Sequence, residues 1–339
     1  MLNRIKQKAI WLLAFISYWS GAIWLFNFLN RRAKRILTFH NVMPDDMFDD
    51  VTTVLSDTES GFRRKIRLLK KWWRFSIDLN DPSTLTITFD DGFVNECEVA
   101  GKILEEEGDI PAILFAVVGL IGEIDPQKAP VVDLLMHWNA CVPDGVYAVG
   151  RNGSEVAFST GNRFDTWVNA IRPAYASDGE NCGRTELEVC NKAYPIAKVL
   201  SRFQSEYLRL RLTGISREQI DTLRAKGWLV GSHSMSHYVF SSLSDNAKLR
   251  EFKAPDDMKE IVFSYPYGET ASIDESTIRL AAEAGYPGAV CNLPDGGGRS
   301  GRYFIPRMTV PDDPYLMHFE LSGLKSFLKT GRLLPVIRI

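Results

Sequence analysis

The sequence predicts an α/β protein: a body of parallel strands alternating with helices, carrying an inserted helical and hairpin cap and preceded by an apolar helix. Three observations predict it. Short β-rich runs alternate with amphipathic stretches through most of the 339 residues, the pattern of a parallel sheet or barrel. The alternation breaks between about residues 120 and 213, where helical stretches flank a hairpin. Residues 9–29 carry no charge. A hydrophobic content of 45% is ample for a packed core, and 24% charged residues exclude bulk disorder.

The apolar run comes first. It is long enough to cross a bilayer, which needs ~20 apolar residues. Lys6 and Lys8 precede it, Arg31, Arg32, Lys34 and Arg35 follow, and Trp11, Tyr18, Trp19 and Trp24 suit a membrane interface. Three readings compete: an inserted anchor, an interfacial helix on anionic lipid, or a signal peptide cleaved near Ser20-Gly21-Ala22. We expect residues 1–35 to associate with the inner membrane. The larger basic cluster follows the run, which favours a cytoplasmic body over the periplasmic alternative. The five cysteines form no CxxC pair and read as reduced thiols, with a Cys182–Cys190 bridge as the oxidising alternative.

Residues 36–339 form the second expected domain. A strand over 36–39 ends at His40 and leads into an acidic loop with Asp45, Asp46, Asp49 and Asp50. A helix over 61–75 precedes a strand over 85–89 that stops at Asp90-Asp91-Gly92. Then come a helix over 96–107 and a buried strand over 112–118. In the cap, a helix over 131–142 is followed by a hairpin turning at Asn152-Gly153 and by helices over 186–212. Ser216 and Gln219 form a capping box for a helix ending near Gly227, and a strand covers 228–231. The chain finishes with a strand at 261–265, a helix at 274–284, a strand at 288–291 and helix over 314–330. Asp295-Gly296-Gly297-Gly298 lacks a following Gly-Lys-Ser/Thr and is no phosphate cradle. With 40 basic against 42 acidic side chains, no cationic excess exists for a phosphate backbone, and nucleic acid is not an expected partner.

Two segments carry chemistry. Asp90 and Asp91 close a buried strand at its carboxyl end, where open α/β sheets and barrels place their sites. Adjacent carboxylates repel unless a cation compensates one of them; a plain Asp-Gly turn is the bland alternative. Gly231-Ser232-His233-Ser234-Met235-Ser236-His237 follows another strand, and two of the five histidines lie in it. At i and i+4 on a helical turn, His233 and His237 would face the same way and could share a metal. A carboxylate and two imidazoles make a facial set with open positions.

The Asp-Asp-Gly and His-Ser-Met-Ser-His segments resemble the first two motifs of the polysaccharide deacetylases (carbohydrate esterase family 4, the NodB-homology domain). Phe263-Ser264-Tyr265-Pro266-Tyr267-Gly268 resembles the third. The segments at 36–42 and 305–310 resemble flanking elements of a bacterial branch associated with envelope glycans. The resemblance implies an irregular, seven-stranded (β/α) barrel. It implies that Asp91, His233 and His237 bind a divalent metal, typically Zn²⁺, with Co²⁺, Ni²⁺ or Mn²⁺ as alternatives. It makes Asp90 the general base and assigns the oxyanion to the Tyr267 N–H, with Pro266 beside it at the substrate. The implied reaction is N-deacetylation of a sugar in an envelope polysaccharide or lipid-linked precursor.

The sequence departs from the family pattern at Ser264, where an arginine that orients the base usually stands; Arg307 is our candidate for the missing cation. His40 is the favoured general acid. Leu316-Met317-His318 matches the late Leu-x-His motif by letter but lies in a helix-like stretch. In the cap, Trp138, Tyr147 and Trp167 could stack on sugars or pack in a core, and His137 reads as structural or as a substrate contact. The segment between Tyr238 and Glu260 is short for the long helix expected after the histidines. Rival readings are a deformylase or O-deacetylase, a non-haem iron oxygenase, and a catalytically dead, membrane-tethered glycan-binding module.

Overall fold

The computed structural model describes residues 2–48, 56–149, 154–181, 183–294, 299 and 301–336. Asp49, Asp50, Asn152, Gly153, Cys182 and the Asp295–Gly298 run, all singled out above, lie outside them.

In chain order the strands are β1 (Arg35–Phe39), β2 (Asn41–Met43), β3 (Ser56–Thr58), β4 (Arg74–Phe75), β5 (Thr84–Asp91), β6 (Ala112–Ala116), β7 (Gly145–Val149), β8 (Ser154–Phe158), β9 (Leu229–Ser232), β10 (Phe263–Ser264), β11 (Ala289–Cys291) and β12 (Ile305–Pro306). One parallel sheet has the order β1-β5-β6-β9, with β4 also on β5, and a second has the order β10-β11-β12. The two join where Met308 N donates to the Ile36 carbonyl (2.9 Å) and Thr38 N to the Met308 carbonyl (3.0 Å). The two sheets make the expected irregular arrangement and stop short of closure: among the described residues no ladder links β9 to β10. There a Cβ on Gly231 would sit 2.7 Å from Ile261 Cδ1. The Ile261 side chain thus occupies the seam, and β10 directs its N–H groups to β11 instead.

β5 carries the site because of its alternation. All eight of its residues are buried, and period two sends them to two different places. Leu85, Ile87 and Phe89 join the layer packed under the helices, with Phe62, Ile66 and Trp228. Thr88 and Asp90 face inward, towards Arg307. Phe115, Val262, Val290 and Ile305, drawn from both sheets, fill that interior.

Helices span Glu59–Lys70, Lys102–Glu106, Arg217–Ala225 and Glu275–Glu283 between the strands. The predicted capping box is present, with Ser216 Oγ accepting from Gln219 N (3.1 Å) and Gln219 Oε1 from Ser216 N (2.9 Å), a device that stabilises a helix start by about 1 kcal/mol. The helix expected over 61–75 ends at Lys70, and the chain turns there into β4. The 238–260 stretch holds two short helices, Asp245–Glu251 and Asp256–Lys259, in place of one long one.

The cap has its own core. Helix Val131–Cys141, the β7–β8 hairpin and helices Arg184–Ala193 and Ile196–Leu200 pack around Trp138, Leu135 and Phe158. Trp138 is fully buried, its Nε1 donating to the Tyr194 carbonyl (2.8 Å) with Tyr147 packed edge-on, and Trp167 packs against the same cluster. Trp138 is therefore core, while Tyr147 and Trp167 are half-buried at its margin.

The single apolar helix is replaced by two, Leu2–Trp19 and Ala22–Leu29, bent by 80°. Gly21 at the bend has a φ of 84°, which glycine adopts without strain. Among the described residues no single helix is long and apolar enough to cross a membrane. The C-terminal helix is likewise divided, into Pro314–Leu321 and Leu324–Thr330.

Candidate active site

Adjacent strand residues point to opposite faces, so two neighbouring aspartates need a break in the alternation to meet at one point. Asp91 supplies it with a φ of 90°. Gly92 continues the turn at φ 80°, where a Cβ would lie 2.6 Å from that of Ala116. Glu96, buried behind the turn, accepts the Gly92 N–H (3.0 Å). Burial, then the charge of Asp91, raises the Glu96 carboxyl well above its usual range.

The histidines converge, but not on a helical turn. His233 leaves β9 directly, and the chain then loops through Ser234 (φ 71°) to His237 (φ 60°). The loop is pinned on several sides. Ser234 Oγ accepts from His237 N (2.9 Å), Glu251 accepts from the Met235 and Ser236 amides, and the Val118 and Gly119 amides donate to the Ser234 and Met235 carbonyls. Asp91, Ser234, His237 and Tyr267 are four of the five non-glycine residues at positive φ among those described. Such backbone costs roughly 1–3 kcal/mol per residue and persists where surrounding contacts over-determine it.

One donor atom each from Asp91, His233 and His237 lies within 4.8 Å of the others, all three side chains being buried. His237 Nε2 is 3.3 Å and His233 Nε2 3.7 Å from Asp91 Oδ1. His233 Nδ1 faces the Ser264 carbonyl at 2.9 Å, which fixes the ring and leaves Nε2 free to ligate. Asp91 Oδ1 is buried with no hydrogen-bond partner. One carboxylate and two imidazoles, with a buried oxygen lacking a partner, fit a divalent metal ion. Without the ion, burial pushes the Asp91 carboxyl up to about 7, opposed by the charge of His40 and reinforced by Asp133 and Asp90. Burial pushes His233 down to about 3 and also lowers His237.

Asp90 belongs to a separate network. Arg307 grips it with two parallel bonds, Nη1 to Oδ1 (2.7 Å) and Nη2 to Oδ2 (2.5 Å). Ser264 Oγ accepts from Arg307 Nη2 (2.9 Å) and donates to Asp90 Oδ1 (3.1 Å). Burial raises the Asp90 carboxyl, but the charges of Arg307, His233 and His40 together hold it well below the usual carboxylate range. A cation does reach Asp90, from the far end of the chain, with Ser264 bridging the pair.

Tyr267 adopts a φ of 63°, and its hydroxyl donates to Tyr175 (2.6 Å), whose own hydroxyl donates to the His237 carbonyl (3.2 Å). Pro266 is buried beside it and accepts the Gly268 N–H (2.7 Å). Among the described residues the Tyr267 N–H has no backbone acceptor. A cleft of 290 Å³ opens beside Tyr267, with Arg172 and Tyr175 of the cap on one side and Glu269 and Ser272 of the body on the other. His40 is half-buried at the end of β1, and its charge acts on both aspartates. His318 lies elsewhere, packed among Tyr18, Trp24 and Trp72. His137 is fixed inside the cap between the Asp133 carbonyl (2.7 Å) and the Tyr207 hydroxyl (3.1 Å).

Sequence reasoning missed a buried ion pair from the cap, Asp133 to Arg211 Nη2 at 3.0 Å. The charge of Asp133 acts on Asp91, His237 and Tyr267. A readable signal existed: Asp133 is the lone acidic residue on a mostly apolar helix, one turn before His137.

No family model and no curated protein matches the chain. Among solved structures it is similar to the Streptococcus pyogenes deacetylase PplD in complex with acetate, at 14% identity over 85% of this chain and 96% of that one, with a TM-score of 0.48. It is similar to IcaB from Ammonifex degensii at 15% identity, over 86% and 96% of the two chains, with a TM-score of 0.47. It is also similar to a polysaccharide deacetylase from Bacillus cereus at 12% identity, over 85% of this chain and 67% of that chain, with a TM-score of 0.44.

Proposed function

We propose that the protein is a metal-dependent N-deacetylase acting on an N-acetylated sugar of a cell-envelope polysaccharide or lipid-linked glycan precursor. The observation that carries this reading is the division of labour between adjacent aspartates. Asp91 stands with His233 and His237 in a ligand cluster, while Asp90 is withheld from it by Arg307 and Ser264. A binding module has no use for a second, separately held carboxylate at that point, and neither does an iron oxygenase.

Asp91, His233 and His237 would hold the ion, which when bound supplies a Lewis acid that acidifies water and polarises an acyl oxygen. Asp90, kept ionised by Arg307, accepts the proton of the attacking water. The Tyr267 N–H is the donor offered to the oxygen on which negative charge develops. His40 is the group assigned to protonate the departing amine. The cleft beside Tyr267, walled by cap and body, is the space this reading assigns to the sugar.

The test incubates the purified full chain with N-acetylated oligosaccharides and lipid-linked sugars, with and without a chelator, beside an Asp90→Asn variant. Acetate release that stops with chelator and with the variant is expected. Release indifferent to both removes the reading; formate from a formylated sugar, with no acetate, replaces the acyl group.

A further inference from the structure

The two amino-terminal helices are covered on one side only. Ala14 and Ile23 pack with Phe319 and Leu324, and Trp11 Nε1 donates to Asp313 Oδ2 (2.8 Å). Asn30 then ties the pair down, donating to the Ser322 carbonyl (2.8 Å) and accepting the Leu334 N–H (2.9 Å). The opposite face is apolar and bare: Leu12, Ile16, Trp19, Trp24, Leu25 and Phe28 are all exposed, Trp19 to 67% and Phe28 to 60%. The rings form one continuous path, from Trp11 through Phe15, Trp19, Tyr18 and Trp24 to Trp72. Soluble monomers rarely leave an apolar patch of this kind uncovered.

We propose that this face lies in the plane of an anionic bilayer surface, holding the protein as a monotopic membrane protein. Charge selects the occupant. The first 44 residues contain no acidic side chain, and the exposed cations Lys6, Lys8, Arg31, Arg32 and Lys71 stand around the apolar face, the arrangement of an interfacial amphipathic element. A second copy would set these cations against their own kind. Spanning is disfavoured by the 80° bend and by the polar anchoring of Asn30 in the body.

Side-chain pairs continue from the covered side of the helices into the body. Trp11 bonds Asp313, the neighbouring Asp312 pairs with Lys65 (3.0 Å), Lys65 pairs with Asp57 (2.5 Å), and Asp57 is in register with Val42, two residues beyond His40. The inference goes beyond the hydrolytic reading and does not depend on it.

The full chain is sedimented with phosphatidylcholine vesicles with and without phosphatidylglycerol, and tryptophan emission is quenched with brominated lipids. Binding to the anionic vesicles, salt-sensitive, with quenching strongest for bromine near the headgroups, is expected. A Trp19→Glu/Phe28→Glu variant should bind at least about tenfold more weakly, and Lys6→Ala and Lys8→Ala roughly fivefold each. All should keep the wild-type melting temperature and wild-type turnover of a soluble oligosaccharide. Absence of vesicle binding, a dimer broken by the Trp19→Glu/Phe28→Glu change, or quenching greatest at the bilayer centre would each overturn the proposal. Loss of acetate release alone would count against the hydrolytic reading and leave this one intact.

Discussion

Arg307 and Asp90, 217 positions apart, meet in two parallel hydrogen bonds of 2.7 and 2.5 Å between the two parallel sheets, both fully buried. The fork fixes the carboxylate in orientation as well as charge. Asp91 next door has no such partner and is left for the histidines.

Replacing Arg307 with Met leaves the Asp90 carboxylate buried and uncompensated, which should destabilise the protein by about 3–5 kcal/mol. Turnover should fall by about 10²-fold or more, since a displaced base is as costly as a missing contact. Bound metal, measured by elemental analysis, should stay at the wild-type level. Arg307→Lys should recover little, because an ammonium cannot fork. Wild-type turnover in Arg307→Met would show that the guanidinium has no part in positioning the base.

Added Zn²⁺ should raise the melting temperature of the metal-free protein. The expected gain is about 2.7 kcal/mol at a hundredfold excess over Kd. Asp91→Asn and His237→Ala should lose both this shift and stoichiometric metal. Equal stabilisation of wild type and both variants would place the ion elsewhere.

His40→Gln should retain metal and substrate affinity while kcat falls by about 10²–10⁴, the usual contribution of a positioned proton donor. A KM change without a kcat change would make His40 a binding residue.

Asp133→Leu should destabilise by about 3–5 kcal/mol, because Arg211 is 1% exposed and two of its nitrogens already lack partners. Asp133→Leu with Arg211→Met should recover most of the loss, and a double-mutant cycle in denaturant measures the coupling. Additive losses would mean that the pair contributes nothing as a pair.

Burial, aided by the charge of Arg211, lowers His137 from 6.5 to about 4. Its folded value lies below its unfolded one, so stability is full above about pH 6.5 and is lost as pH falls towards 4. Between pH 7 and 5 the wild type should lose roughly 2 kcal/mol more than His137→Gln. Parallel pH profiles would show that His137 titrates normally.

The sequence alone determined the alternating α/β class, the strand ends bearing Asp90 and His233 and the capping box at Ser216. Each is written locally, in periodicity, turn chemistry or a short spacing. What the sequence misjudged were distances along the chain. His233 and His237 share a site through a pinned left-handed loop, although the spacing suggested a helical turn. Gly21 bends an apolar run that composition read as continuous. Tertiary structure alone decided that Arg307 reaches Asp90, that the charge of Asp133, paired with Arg211, acts on Asp91 and His237, and that Trp138 is core while Trp19 is exposed. These outcomes depend on which strand lies beside which, and on which face of each element finds a partner. Pairing and facing are properties of the assembled layers, and no local pattern encodes them.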